Sequence, residues 1–178
     1  MDVGSALTSS VIHFHGNDKA HGWRYQMSYT TSYYHIIFHT LHNKPAIVEE
    51  HEKELYRYIW GLCRNKRVFL HRVGGMPNHL HLMVNLPPSL SVADFVRELK
   101  TSTNTWLKSN PNYPLFEGWS AGYAGLSCGR NDVERVVNYI KNQKRHHRGI
   151  SFADEIKTLF KENGMEIQES YFNRDWIE

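Results

Sequence analysis

Two histidines stand two residues apart in the chemically richest stretch of this chain, Met76-Pro77-Asn78-His79-Leu80-His81-Leu82-Met83-Val84. Side chains alternate between the two faces of an extended strand, so His79 and His81 share one face while Leu80 lies on the other. Two glycines and a proline place a turn directly before this strand. The spacing therefore predicts two imidazoles that reach one metal ion at the mouth of a strand whose other face is apolar.

A phenol and an amide stand one helical turn apart further along the chain. Residues 131–147 are predicted to form a helix, with Asn131 as the N-cap and Glu134 completing a capping box. Tyr139 and Gln143 are four residues apart and so share a face of that helix. This pair makes a nucleophile and a third metal ligand conceivable beside the histidines.

Each of these side chains also has an ordinary structural alternative. A His-x-His pair on a strand is more often a surface pair than a ligand set, Tyr139 alone would usually be a packed aromatic, and Gln143 alone an exposed helix residue. Trp119 and Tyr123 are assigned to packing. The remaining histidines of this region are assigned to the sheet or the surface, namely His35, His39, His42 and His71. The residues by themselves leave both alternatives open.

Taken together, these segments resemble the HUH-type single-tyrosine transposases, the insertion-sequence-two-hundred-like group that moves as single-stranded DNA. The resemblance covers residues 29–167 and is carried by Met76-Pro77-Asn78-His79-Leu80-His81-Leu82, Trp119-Ser120-Ala121-Gly122-Tyr123 and Tyr139-Ile140-Lys141-Asn142-Gln143. It implies that His79, His81 and Gln143 bind a divalent ion, Mg²⁺ or Mn²⁺, and that Tyr139 is the nucleophile. Two imidazoles by themselves favour transition ions over magnesium.

The resemblance also implies a reaction and its partners. Attack by Tyr139 on a scissile phosphate would give a 5′-phosphotyrosine link and a free 3′-hydroxyl, in a step that can reverse to rejoin strands. The substrate would be single-stranded DNA with hairpin ends, bound by a homodimer whose composite sites combine one subunit's histidines with the other's tyrosine helix. Three alternatives remain: a non-mobile relative that processes chromosomal repeat hairpins, a non-cleaving single-stranded nucleic-acid-binding module, and a metal-dependent hydrolase in which Tyr139 is structural.

The distribution of charge adds candidate phosphate contacts. The net charge of +3 does not identify a nucleic-acid partner, but Lys and Arg outnumber the acidic residues between Arg130 and Arg148. Solvated helix faces are the alternative explanation for these cations. The predicted DNA-binding residues are Arg97, Lys100, Lys141, Lys144, Arg145 and Arg148.

Composition and length predict a single domain. A chain of 178 residues with 40% hydrophobic residues can bury one core. Residues 1–26 are predicted to be a flexible N-terminal extension, Met27 to be the natural start, and residues 27–178 to be one transposase domain. The two isolated cysteines fit a reducing cytoplasm. With no membrane or secretory signal and no glycine-rich nucleotide loop, we expect a cytoplasmic, DNA-associated bacterial protein without a nucleotide cofactor.

The order of predicted elements favours an α+β fold, a ferredoxin-like (RRM-like) sandwich with an antiparallel sheet. Strands are predicted over 33–41, 67–73, 79–86 and 119–128, and helices over 49–64, 131–147, from Ser91 onward, and from Ser151 to just before Gly164. Ser91 and Ser151 are each expected to cap the helix that follows.

Overall fold

The structure, a computed structural model, describes residues 29–146 and 149–172. Four strands, β1 (Tyr33–His39), β2 (Phe69–Met76), β3 (His79–Asn85) and β4 (Ala124–Cys128), form one antiparallel sheet in the order β2-β3-β1-β4. The helices are α1 (Glu52–Asn65), α2 (Val92–Ser109), α3 (Val133–Lys141), α4 (Gln143–His146), α5 (Phe152–Glu162) and α6 (Glu169–Phe172). This architecture confirms the predicted α+β class. The predicted extension, residues 1–26, lies outside the described residues.

The central strands β1 and β3 separate two layers of helices. Ile36 and Phe38 of β1 and Leu80 and Leu82 of β3 pack into the larger core with α1 and α2. The intervening residues face the other way, where Ile37 packs with α5 and Met83 packs with α3. Because the side-chain period of a strand is two, the odd-numbered histidines of both strands lie on this second face.

The predicted strand over 119–128 is shorter in the structure. Only Ala124–Cys128 pairs with β1, while Trp119 makes a single isolated bridge to Thr40. The carbonyls of Ser120, Ala121 and Gly122 instead accept hydrogen bonds from Lys100 Nζ, at 2.7, 3.1 and 2.7 Å. The Lys100 side chain, from α2, thus supplies the hydrogen bonds that a neighbouring strand would otherwise donate to these carbonyls.

Two of the predicted helix starts are confirmed and one is wrong. Ser91 Oγ accepts the Asp94 amide at 3.0 Å, and Ser151 Oγ accepts the Asp154 amide at 3.2 Å. Asn131 is not an N-cap, because it lies within a 3₁₀ turn, Arg130–Asp132, that precedes α3. The predicted single helix over 131–147 is also interrupted near Asn142, which separates α3 from α4.

Within the described ranges, no helix has both the length and the apolar character that a membrane span requires.

Candidate active site

The hairpin between β2 and β3 delivers the two predicted metal-binding histidines to one place. Gly75 makes this hairpin possible, because a Cβ atom at that position would lie 2.1 Å from the carbonyl oxygen of His79. His79 and His81 share the face beneath α3 and α5, with ring centroids 5.1 Å apart. Both imidazoles are fully buried, at 0% exposure.

The Nδ1 atom of each imidazole lies within hydrogen-bond distance of a neighbouring side chain. His79 Nδ1 lies 2.8 Å from Asn78 Oδ1, an atom that only accepts, so Nδ1 is the donor. His81 Nδ1 lies 2.9 Å from His35 Nε2. Burial lowers the pKa of His35 to about 4, so His35 is neutral at pH 7 and can accept that hydrogen bond. His79 therefore directs an Nε2 lone pair into the buried cluster, and His81 does the same in the tautomer that donates from Nδ1 to His35.

A carboxylate from α5 completes the cluster. Phe152, at the start of α5, stacks on His79 at 4.1 Å, and one turn later Glu155 enters the site. Glu155 Oε2 lies 3.5 Å from His79 Nε2, and its Oε1 lies 3.5 Å from His81 Nε2. The ligand atoms of these three residues all lie within 4.8 Å of one another. Such a set of nitrogen and oxygen donors can hold a metal ion.

The predicted nucleophile and third ligand reach the same carboxylate. The Tyr139 hydroxyl donates a short hydrogen bond to Glu155 Oε1, and Gln143 Nε2 donates to the same oxygen at 2.8 Å. The Gln143 side chain is buried, and its Oε1 has no hydrogen-bond partner among the described residues. A buried amide oxygen without a donor fits a role as a metal ligand.

The environment of Tyr139 keeps its phenol protonated. Burial raises the pKa of Tyr139 far above its usual range, and the charge of Glu155 raises it further. The ring of Tyr139 lies 5.9 Å from that of His81, centroid to centroid. Loss of this proton would require an acceptor, and Glu155 is already in contact with the hydroxyl.

A cavity of about 500 Å³ opens beside Tyr139, between β4, α3 and α5. Its polar lining includes Ser127, Asp132, Arg135, Tyr139, Glu162 and Asn163. The two histidines are fully buried, whereas the Tyr139 side chain is partly exposed and forms part of the wall of this cavity.

Glu155 and His35 are the site residues that sequence reasoning missed. The sequence assigns His35 to the sheet or surface; it is a sheet residue, but it is buried against His81. A signal for Glu155 is present in the helix that follows Ser151. Phe152, Ile156 and Phe160 mark the buried face of that helix, and Glu155 lies on the same face. A carboxylate on an apolar stripe is a candidate functional group.

The predicted DNA-binding cations differ in how far they are already bound within the chain. Arg97 pairs with Asp94 at 2.7 Å, Lys144 pairs with Glu49 and Glu52, and Lys100 is bound by three carbonyls. Lys141 and Arg145 are exposed, and no carboxylate in the described ranges pairs with either. Arg148 lies outside the described residues.

Comparison with known proteins identifies relatives of this chain. The family described as "Transposase IS200 like" matches residues 28–143. The transposase for insertion sequence element IS200 of Salmonella typhimurium LT2 is 27% identical over 115 residues, which span 62% of this chain and 75% of the relative. The ISDra2 transposase TnpA of Deinococcus radiodurans is 25% identical over 130 residues, which span 70% of this chain and 89% of the relative.

Solved structures support the fold. A transposase structure from Deinococcus radiodurans R1 superposes with a TM-score of 0.51 at 24% identity, over 71% of this chain and 97% of that one. A REP-associated tyrosine transposase bound to a REP hairpin superposes with a TM-score of 0.53 at 16% identity, over 72% of this chain and 76% of that one. With the family match extending over more than half of its residues, the chain belongs to the IS200-like transposase family.

Proposed function

We propose that this protein is a metal-dependent transposase that nicks and rejoins single-stranded DNA through a covalent 5′-phosphotyrosine intermediate. The observation that carries the proposal is the convergence of Tyr139, Gln143, His79 and His81 on the one buried carboxylate of Glu155. Each strand exchange replaces one phosphodiester by another, so the reaction needs no nucleotide cofactor. We assign the activity to the cytoplasm, in keeping with the two isolated cysteines.

The proposed metal ligands are His79 Nε2, His81 Nε2 and Gln143 Oε1, with Glu155 beside them. We propose Mg²⁺ or Mn²⁺ as the ion. When bound, it would neutralise the charge that develops on the scissile phosphate. In the tautomers that donate from Nδ1, Asn78 and His35 would orient the two imidazoles for this role.

The proposed step starts from the hydrogen bond between Tyr139 and Glu155. Burial and the charge of Glu155 raise the pKa of Tyr139, and in the proposed step its proton moves to Glu155 as the oxygen attacks. The bond between Tyr139 Oη and phosphorus forms while the bond from phosphorus to O3′ breaks. The electron pair goes to O3′, which takes a proton from solvent and becomes the free 3′-hydroxyl.

Single-stranded DNA with hairpin ends is the proposed substrate, and the similar structure described as bound to a REP hairpin supports this choice. Lys141 and Arg145 are the candidates for phosphate contacts that pair with no carboxylate among the described residues. The further candidates are Arg97, Lys100, Lys144 and Arg148. The homodimer with composite sites remains a prediction of the resemblance. The contacts of the histidines and Tyr139 with one carboxylate favour the alternative arrangement, in which a single chain supplies the whole site.

A non-mobile relative that processes chromosomal repeat hairpins is the second candidate function. The likeness to a REP-associated transposase favours it, and the same chemistry would serve. Genomic context separates the two: near-identical copies flanked by hairpin ends indicate transposition, and a single copy near scattered repeats indicates processing.

Incubation with labelled hairpin-bearing single strands and Mn²⁺, followed by a denaturing gel, tests the chemistry. The wild-type protein should form an adduct that survives denaturant and disappears on protease treatment, while Tyr139→Phe forms none. Tyr123→Phe is the matched control and should form the adduct normally. Release of a 5′-phosphate without an adduct would instead show hydrolysis, and binding without cleavage would show a non-cleaving module.

A further inference from the structure

A groove between α1 and the edge strand β2 has no part in the chemistry proposed above. It encloses about 500 Å³, the scale of a site for one small ligand or nucleotide. The side chains that form its walls include Lys53, Tyr56, Arg57, Trp60, His71 and Arg72.

The cations of this groove lie at the surface and are unpaired among the described residues. Lys53, Arg57 and Arg72 are exposed, as is Arg64 at the end of α1, and none of them forms a salt bridge within residues 29–146 and 149–172. Arg97 and Lys144, by contrast, are paired with carboxylates. A cluster of unpaired cations attracts phosphate groups.

Large aromatic rings stand exposed among these cations. Trp60 is 54% exposed and Phe69 is 63% exposed. The guanidinium of Arg64 lies 5.6 Å from the centre of the Trp60 ring, and the His71 ring lies 4.6 Å from that of Phe69. Exposed rings interleaved with arginines suit unpaired bases, which stack on the rings while the phosphates meet the cations. Bases inside a duplex are stacked on one another and offer no such face.

The groove ends close to the candidate active site. Glu52 lies in its wall and pairs with Lys144 at 2.9 Å, and Lys144 follows Gln143 directly in α4. A strand lying along the groove can therefore continue toward the cluster around Tyr139.

We propose that the groove between α1 and β2 binds unpaired nucleotides that flank a DNA hairpin. Trp60 stacks on a base, and Arg57 and Arg72 contact the phosphates on either side. The direction of the strand toward Tyr139 rests on the proposed function, whereas binding in the groove does not and can be measured without cleavage.

Fluorescence anisotropy without divalent ions tests the proposal, using one labelled hairpin with unpaired flanks on both sides and the same hairpin with blunt ends. Trp60→Ala should weaken binding of the flanked hairpin by about tenfold, which is the scale of one lost base stack. The double variant Arg57→Ala/Arg72→Ala should weaken it too and should reduce the slope of log affinity against log salt by about 1.4, or about 0.7 per single-strand phosphate. The blunt hairpin should bind each variant as it binds the wild type.

Control variants remove two positive charges, or one large exposed apolar side chain, elsewhere on the surface. Lys44→Ala/Lys161→Ala deletes two charges, and Leu115→Ala deletes a side chain that is 52% exposed. Both should bind the flanked hairpin normally, and circular dichroism should show every variant folded. Unchanged affinity of the groove variants for the flanked hairpin would overturn the proposal, as would an equal loss on the blunt hairpin, which would place the stem in the groove.

The adduct assay distinguishes a failure of the groove proposal from a failure of the proposed phosphotyrosine chemistry. At saturating DNA the groove variants should still form the covalent adduct, because their side chains do not touch the reacting atoms. If the wild type forms no adduct while the groove variants lose binding to the flanks, the proposed chemistry fails and the groove proposal stands.

Discussion

Glu155 has two opposite effects on Tyr139, and an experiment can tell which one dominates. Its negative charge raises the pKa of Tyr139, which disfavours the nucleophilic form, while its oxygen accepts the phenolic hydrogen bond. If charge alone mattered, removing it would speed attack. If Glu155 takes the proton, Glu155→Gln should slow adduct formation by about 100-fold or more, since the amide cannot become the acid.

The substitution is close to isosteric, so the fold should survive it. Single-turnover adduct formation at saturating DNA and Mn²⁺ measures the effect, and Mn²⁺ binding measured separately should persist through His79, His81 and Gln143. Glu166→Gln, an exposed carboxylate outside the site, is the control and should react normally. A faster reaction in Glu155→Gln would rule out Glu155 as the proton acceptor.

A site residue can be predicted from the sequence when its position depends only on residues near it in the chain. The shared face of His79 and His81 follows from strand alternation alone. Helical spacing predicts that Tyr139 and Gln143 lie together, and both do reach Glu155, although the structure divides that helix near Asn142. Glu155 and His35 reach the cluster only because α5 docks on the sheet and β1 pairs beside β3. Those contacts join distant parts of the chain, and no local period encodes them.

At the scale of the element, α5 acts as a cover over the histidines. Phe152 stacks on His79 and also contacts His39 edge to face, at 5.6 Å between ring centroids. Phe152→Ala should destabilise the protein by about 3 kcal/mol, the usual cost of emptying a phenyl site. It should also speed the entry of Mn²⁺ or Co²⁺, because the ring that seals His79 is gone.

Stopped-flow metal binding and urea unfolding measure these two effects. Phe160→Ala is the matched control, since Phe160 lies on the same helix, is also buried and contacts Phe172 at 6.3 Å between ring centroids. It should lose comparable stability without faster metal entry. Equal entry rates in the wild type and Phe152→Ala would mean that α5 does not limit access.

The hairpin between β2 and β3 depends on glycine at one position. Gly75→Ala should cost about 3 kcal/mol or more and weaken metal binding, because its Cβ would force the His79 backbone out of position. A Cβ added at Gly61 in α1 would meet nothing within 4 Å, so Gly61→Ala should stabilise the protein by about 0.5–1 kcal/mol. Urea unfolding and Co²⁺ absorption spectra report both outcomes. A Gly75→Ala protein with wild-type stability and spectra would show that the hairpin tolerates a side chain at this position.

Element boundaries are harder to predict than element types. The strand predicted over 119–128 is wrong in its first half because Lys100, from α2, binds the carbonyls that a strand partner would otherwise take. The helix predicted over 131–147 is divided near Asn142, and a 3₁₀ turn takes Asn131 out of the N-cap position. In each case, a contact or turn that periodicity does not encode sets the boundary.

At the scale of the whole molecule, the question is whether one chain or two make an active site. A composite homodimer would place Tyr139 against the histidines of its partner, whereas this structure brings both sets together within one chain. Two inactive variants distinguish these arrangements. His79→Ala/His81→Ala keeps Tyr139 but lacks the metal ligands, and Tyr139→Phe keeps the ligands but lacks the nucleophile.

Mixing the two variants should restore no adduct if each chain works alone, because neither contains a complete site. In a composite dimer, one of the two sites in each mixed dimer would combine intact histidines with an intact Tyr139, and adduct formation would return. The assay uses equimolar variants, preincubated so that subunits can exchange, with labelled hairpin DNA and Mn²⁺. Adduct in the mixture, absent from either variant alone, would show that α3 and α4 serve the neighbouring subunit and that the single-chain arrangement is wrong.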